Sequence, residues 1–287
     1  MTLLIVGCGD VGLRVLRLRP TRWQVLATTS SPQRVPALRA AGAHPLVADL
    51  DRPETLARLA ALADRVLMLA PPPAQGTRDT RSRHLAQALA RGARVRQLVY
   101  VSTTGVYGDC GGALVPETRM PAPATARAQR RCDAEAVWRW YGRRSGTAVT
   151  ILRAPGIYAA DREGGDPRER VRRGSPALVP AQDVYTNHIH ADDLARACLA
   201  ALVRGPTQRA FNVNDDAAWP MGEYLDRVAA QAGLPPVPRL KREEAAAVMS
   251  PMQLSFLGES RRLVNTRMKR ELRLALRYPT VLDGLAG

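Results

Sequence analysis

The first eighteen residues constrain this chain most. The apolar run Thr2–Val6 leads into Gly7-Cys8-Gly9-Asp10-Val11-Gly12, and the amphipathic stretch Val11–Leu18 follows. That is a strand, a glycine turn and a helix. Each glycine answers a separate demand: the first permits a tight turn, the second lets a pyrophosphate approach bare backbone, and the third lets the helix pack on the strand. Phosphates over such a turn sit at a helix N-terminus, where unpaired N–H groups and the positive end of the dipole favour anions. The alternative is a glycine-rich turn with no ligand. The strand before and the helix after supply the context that dinucleotide binding requires, so Gly7, Gly9, Asp10, Val11 and Gly12 are the first candidate cofactor-binding residues.

Apolar strand runs alternate with helical segments through most of the 287 residues. The strands expected are Thr2–Val6, Gln24–Thr28, His44–Ala48, Arg65–Ala70, Gln97–Ser102, Thr147–Arg153 and Arg209–Val213. This is the pattern of a Rossmann-type, doubly wound parallel α/β sheet. Helix punctuation agrees with it. Ser31-Pro32 offers an N-cap followed by a proline at the first helical position, and Gly42 closes that helix. Asp51 is placed to cap Pro53–Ala63, with Glu54 three residues on. Ala191–Arg204 carries Leu194, Cys198, Ala201 and Leu202 on one face. Two stretches do not fit the sheet: 156–188, rich in Gly, Pro and charge, and the short helices from Asn214 onward, among them Met221–Ala232 and Thr266–Leu272. The expected division is a dinucleotide-binding domain of residues 1–156 plus about 189–214, and a small discontinuous lobe of 157–188 plus 215–287 over the carboxyl ends of the strands. The stretch 111–126 reads as a long loop, functional or mobile.

A formal charge of +16 invites a nucleic-acid reading. The charge is almost all arginine, since Lys241 and Lys269 are the only lysines, and it is dispersed over helix faces without an aromatic-laced basic block. Solvated surface is the better account, and no specific nucleic-acid partner is expected. No apolar run is long enough to span a bilayer, and the chain begins on a core strand instead of a basic leader. The four cysteines Cys8, Cys110, Cys132 and Cys198 have no metal-ligand spacing. Together these point to a cytoplasmic protein with reduced thiols. His188 and His190, one residue apart with no third ligand nearby, are expected to be structural, His190 bonding backbone or Asp192.

Several further segments resemble the extended short-chain dehydrogenase/reductase superfamily, the group of nucleotide-sugar epimerases and dehydratases. They are the glycine turn, Asp49-Leu50, Val101-Ser102-Thr103-Thr104-Gly105-Val106-Tyr107-Gly108, Leu152-Arg153-Ala154-Pro155-Gly156-Ile157-Tyr158 and His188–Ala195, with Asn265–Leu272, Tyr278-Pro279 and Gly284-Leu285 in the tail. The resemblance covers essentially the whole chain. It implies that Asp49 and Leu50 lie by the adenine, that Ala70, Pro71 and Pro155 line the cofactor, and that Thr103 polarises a substrate carbonyl. A capping role is the alternative for Asp49, and a strand-end hydroxyl the alternative for Thr103.

The chain departs from that family where the chemistry is done. Conventional members use Tyr-x-x-x-Lys, and counting back from Glu135 places Arg127 and Arg131 at those positions. Arginine stays protonated and is a poor proton shuttle, although Arg131 keeps the ability to hydrogen-bond a ribose. Tyr107 is the nearest phenol to the cleft, with packing its alternative role. The spacing GxGxxG in place of GxxGxxG, and Ala70-Pro71-Pro72-Pro73 in place of an Asn-Ala-Gly-like segment, also mark an atypical member. The end of the second strand, Ala27–Arg34, carries no acid to receive a ribose 2′-hydroxyl. Its hydroxyls, Thr29 among them, and Arg34 suit a 2′-phosphate, so NADP is expected in preference to NAD. The expectation is an NADP(H)-binding, epimerase/dehydratase-like oxidoreductase with an unconventional or weakened active site, acting on an unidentified small molecule. The alternative is a non-catalytic dinucleotide-binding regulator or scaffold. A homodimer stays open as its assembly.

Overall fold

The computed structural model describes residues 1–92 and 95–286; Gly287, the last residue of the expected small lobe, lies outside them. Seven strands form one parallel sheet: β1 (Thr2–Val6), β2 (Gln24–Thr29), β3 (His44–Val47), β4 (Arg65–Met68), β5 (Gln97–Thr103), β6 (Ala148–Ala154) and β7 (Arg209–Asn212). Their spatial order is β7-β6-β5-β4-β1-β2-β3, and every neighbouring pair is parallel. The expected runs and the observed strands differ by two residues at most. The order reverses direction between β1 and β4, where the crevice for a ligand lies in open sheets of this kind.

Helices cover both faces, and the alternation of β1 shows how. Leu3 and Ile5 join one apolar cluster with Val15 and Leu16 of α1 (Asp10–Leu18), Leu38 of α2 (Val35–Ala40) and Leu194 and Leu202 of α6 (Ala191–Arg204). Leu4 and Val6 face the other, with Leu85 and Leu89 of α3 (Thr80–Ala90) and Ala134 and Trp138 of α4 (Ala126–Ser145). A third cluster forms away from the sheet. It joins Val171 of α5 (Pro167–Arg172), Leu225 and Val228 of α7 (Met221–Gln231), Ala245 of α8 (Arg242–Val248), Leu257 of α9 (Pro251–Leu257) and Val281 of α11 (Val281–Leu285). Met268 of α10 (Thr266–Glu271) instead packs under the sheet. Among the described residues no helix is long and apolar enough to cross a membrane.

Three local expectations need correction. Residues 53–59 form a 3-10 helix that starts from Arg52, and Asp51 does not cap it. The Asp51 carboxylate instead accepts from Arg81 Nε at 2.8 Å. Ser31 precedes a 3-10 turn, Pro32–Arg34, and bonds Gln33 Oε1 at 2.7 Å without capping any N–H; α2 begins only at Val35. The stretch 111–126 is tied down in its first half, because Leu114–Val115 pairs in parallel with Arg262–Leu263. Two-residue strands carry no periodicity for sequence to reveal.

Candidate functional site

The glycine turn carries three distinct geometries. Gly7 has φ 81°, and a Cβ there would stand 2.6 Å from the backbone nitrogen of Ala70, so glycine alone fits. Gly9 is the N-cap of α1, and a Cβ on it would meet nothing within 4 Å. Beyond it is open space at the end of the helix, where the first N–H groups have no intrahelical partner. Gly12 lets the helix close down: a Cβ would stand 2.8 Å from Cys8 Sγ and 3.4 Å from Leu69 Cδ1.

The Asp10 carboxylate is committed elsewhere, to Arg14 Nε at 3.1 Å and to Arg162. Asp10, like Val11, can therefore offer a phosphate only its backbone. Arg34 is exposed at the end of its 3-10 turn. It lies close enough that its charge is felt at the turn: burial pushes the Cys8 thiol up to about 11, and the Arg34 guanidinium pulls it the other way. Thr29 is not a free hydroxyl, since Oγ1 donates to the Ser31 carbonyl at 3.2 Å and accepts the Ser31 N–H at 3.1 Å. Asp49 Oδ1 accepts the Asp51 N–H at 2.9 Å. The Leu50 carbonyl meets His84 Nδ1 at 2.8 Å, and that of Pro71 accepts from Arg81 Nη1 at 3.1 Å. Ala70 is buried against Gly7.

A cleft of about 560 Å³ opens beside these strand ends, over β5 and β6. The register pairs Thr103 with Ala154, which brings Thr103 and Pro155 into one wall. Arg127 joins them from the first turn of α4, its guanidinium 4.7 Å from the ring centre of Phe256 on α9. Thr103 Oγ1 accepts only a long bond, 3.4 Å, from the Gly105 N–H. The other two catalytic candidates stand outside the cleft lining. Arg131 Nη1 donates to Tyr100 Oη and to the Val101 carbonyl, both at 3.0 Å.

Tyr107 is fully buried. Its hydroxyl donates to Asn212 Oδ1 at 2.7 Å and accepts from Arg153 Nη1 at 2.9 Å. Arg153 in turn forks onto Glu135 at 3.0 and 2.7 Å. Burial holds the phenol above its ordinary range despite the Arg153 charge. Through these bonds Tyr107 joins β6 to β7.

Apart from His188, expected to be structural, the sequence does not single out the residues of the opposite wall as site candidates. Arg170 on α5, Asn187, His188, Met221, Glu259 and Arg261 all line the cleft. His188 stacks on Tyr224 with ring centres 3.9 Å apart, and burial beside the Arg170 charge pulls its pKa down to about 3. It is a neutral imidazole on a cleft wall, which goes beyond the purely structural role expected. His190 behaves as expected: Nδ1 accepts the Asp192 N–H at 3.2 Å and caps α6. Of these wall residues only His188 opens a segment that carries the family resemblance; the others come from distant segments that converge on one space.

Residues 7–204 match the model of the NAD(P)H-binding family, and the chain belongs to that family. Several solved structures with the same fold are described as UDP-sugar epimerases or dTDP-glucose 4,6-dehydratases, at 15–20% identity, so the likeness to them is one of fold. More particularly, the chain is 30% identical to a conserved protein of unknown function from Silicibacter pomeroyi, with a TM-score of 0.82 over 99% of this chain and 96% of that one. Protein YeeZ of Escherichia coli is 27% identical over 244 residues, 81% of this chain and 84% of YeeZ. The UDP-glucose 4-epimerase of Thermotoga maritima, solved with UDP-glucose, shares the fold at 20% identity and a TM-score of 0.80, over 99% of this chain and 96% of that one.

Proposed function

We propose that the protein is an NADP(H)-binding oxidoreductase of epimerase/dehydratase architecture, acting on a small molecule held in the cleft over β5 and β6. The observation that carries this is the open space above Gly9 at the start of α1, on the same edge of the sheet as the cleft at Thr103 and Pro155. The pyrophosphate would take the N–H groups of Asp10 and Val11. Arg34, with no carboxylate at the end of β2 to compete, would receive the ribose 2′-phosphate. Asp49 and Leu50 flank the adenine side, with Ala70 and Pro71 under the turn. When bound, the cofactor supplies hydride exchange at its nicotinamide. Thr103 is placed to hydrogen-bond a substrate carbonyl from the cleft wall, and Arg127 to hold negative charge there. Arg131, clamped to Tyr100 and Val101, holds the floor of the site. In this division residues 1–156 and 189–214 carry the cofactor, and 157–188 with the C-terminal segment carry the substrate wall.

Titration with NADPH and NADH, followed by screening of NADPH-dependent turnover, tests the proposal; failure to bind either dinucleotide overturns it. One observation favours a second reading, a dinucleotide-binding regulator. The positions that the resemblance assigns to the Tyr-x-x-x-Lys pair are both arginines here, one in cation–π contact with Phe256 and the other bonded to Tyr100 and Val101. A protein of that kind would bind NADPH, show no turnover and change its affinity for a partner protein or a second copy of itself.

A further inference from the structure

Three arginines, Arg127, Arg170 and Arg261, and one carboxylate, Glu259, line the cleft. Glu259 is taken: Arg261 Nη1 holds it at 2.7 Å, and the same nitrogen also donates to the Gly108 carbonyl at 2.8 Å. Arg127 has the Phe256 ring. Arg170 is different. Its guanidinium is withdrawn from water far enough that burial holds its pKa below the ordinary arginine value. Among the described residues no carboxylate pairs with it; Nη1 has Met221 Sδ at 3.4 Å, and Nε is buried with no partner at all. Asp183, the nearby acid whose charge it feels, is occupied by the backbone N–H groups of Val184 and Gly222. Arg261 Nε is buried and unpartnered in the same way.

Buried charges in folded proteins are paired, because an unpaired one forfeits its hydration without return. A thioether is a weak acceptor and does not compensate a guanidinium. The missing partner of Arg170 has to come from the cleft. His188, neutral beside it, adds a hydrogen-bonding edge without adding charge. On the premise that this cleft is the substrate site, we infer that the substrate is an anion, bearing a carboxylate or a phosphate group, and that Arg170 is the side chain that receives it. The rest of the molecule then extends past Asn187 toward Thr103 and Pro155. A guanidinium fork suits both oxyanions, since each presents two oxygens to two parallel N–H groups.

The test uses the full chain, with and without saturating NADPH, and two probes: inorganic phosphate and succinate. Binding is read by thermal shift and calorimetry in Arg170→Gln, Arg170→Lys and, as a charge control on an exposed site, Arg22→Gln. Wild type and Arg22→Gln should bind at least one probe alike. Arg170→Gln should weaken that probe by about tenfold or more, the loss expected for a charge-assisted bond, and Arg170→Lys by less. Preference for phosphate assigns a phosphate ester, and preference for succinate a carboxylic acid. Should Arg170→Gln fold poorly, protection of Arg170 in the wild type from a dicarbonyl reagent by the same probes, read by mass spectrometry, gives the answer. Absence of binding by both probes, or binding indifferent to Arg170, overturns the inference. Loss of NADPH binding with anion binding intact would count against the proposed function and leave the anion site standing.

Discussion

The Asp10 carboxylate, inside the glycine turn, is ion-paired to Arg162 on the segment after β6. Beside it Arg14, 4% exposed, joins Asp10 to Asp161 and Asp192. The turn, the 159–165 segment and α6 are thus held by one cluster of charges at the end of α1. A pyrophosphate arriving over Gly9 meets the Asp10 carboxylate as a like charge. Asp10→Asn should therefore tighten NADPH binding several-fold. It should cost about 1 kcal/mol of stability or less, the scale of a partly exposed ion pair and a first-turn acid, because Arg14 keeps two carboxylates. Paired cofactor titrations and urea unfolding check both halves.

Cofactor preference rests on Arg34. NADPH should bind more tightly than NADH, and Arg34→Ala should remove about 1.5–3 kcal/mol from NADPH binding while leaving NADH nearly unchanged. Equal affinities for the two dinucleotides in the wild type would contradict the assignment of Arg34.

The two turn glycines should fail in different ways. Gly9→Val places a side chain in open space and should abolish dinucleotide binding with the fold intact. Gly7→Ala, at φ 81° and against the Ala70 backbone, should destabilise the fold itself. Circular dichroism melts separate the two outcomes.

His188 gives a pH signature. Its pKa falls from 6.5 in the unfolded chain to about 3 in the fold, so below pH 6.5 the unfolded state binds the extra proton. Stability contributed by the neutral ring is complete above pH 6.5 and is lost as the pH falls toward 3. Between pH 7 and 5, before most carboxylates titrate, the wild type should lose about 1–2 kcal/mol from this group. His188→Gln should flatten that part of the stability curve; an unchanged slope would show that the ring titrates freely in the cleft.

Arg127 sets the riskiest expectation. If the arginine matched to the family's tyrosine leaves the usual proton shuttle out, the protein should turn over nucleotide sugars slowly or not at all, since general acid–base catalysis is worth about 10²–10⁴ in rate; Tyr185, the phenol on the cleft wall, is then the group to replace if turnover is fast. The double change Arg127→Tyr with Arg131→Lys should then produce measurable cofactor-dependent oxidation. Ordinary epimerase rates in the wild type would show that another group carries the proton.

Much of this fold could be read in advance because parallel strands buried on both faces are continuous apolar runs, and glycines and prolines mark their ends. The glycine turn was legible for the same reason: it is local, and each glycine has a separate steric task. The far wall of the cleft was not. Arg170, His188 and Arg261 come from α5, the strand before α6 and the segment after α9, and only the folded chain sets them on one space. Burial of Tyr107 was equally invisible, because it depends on Asn212 being 105 residues away. Helical caps failed where a 3-10 turn competed, as at Asp51 and Ser31, since both geometries begin with the same residues.

The closeness of Gly7 to the Ala70 backbone, where an added Cβ would stand 2.6 Å from the nitrogen, also has a bearing on descent. The residue that opens the proline run forms the underside of the cofactor turn, so the two segments cannot drift apart independently. A lineage that exchanged Ala-Pro-Pro-Pro for a bulkier or less rigid stretch would have to re-space its turn in the same step. Among relatives of this chain, turn spacing and the composition of the β4 exit should therefore change together, as one inherited unit.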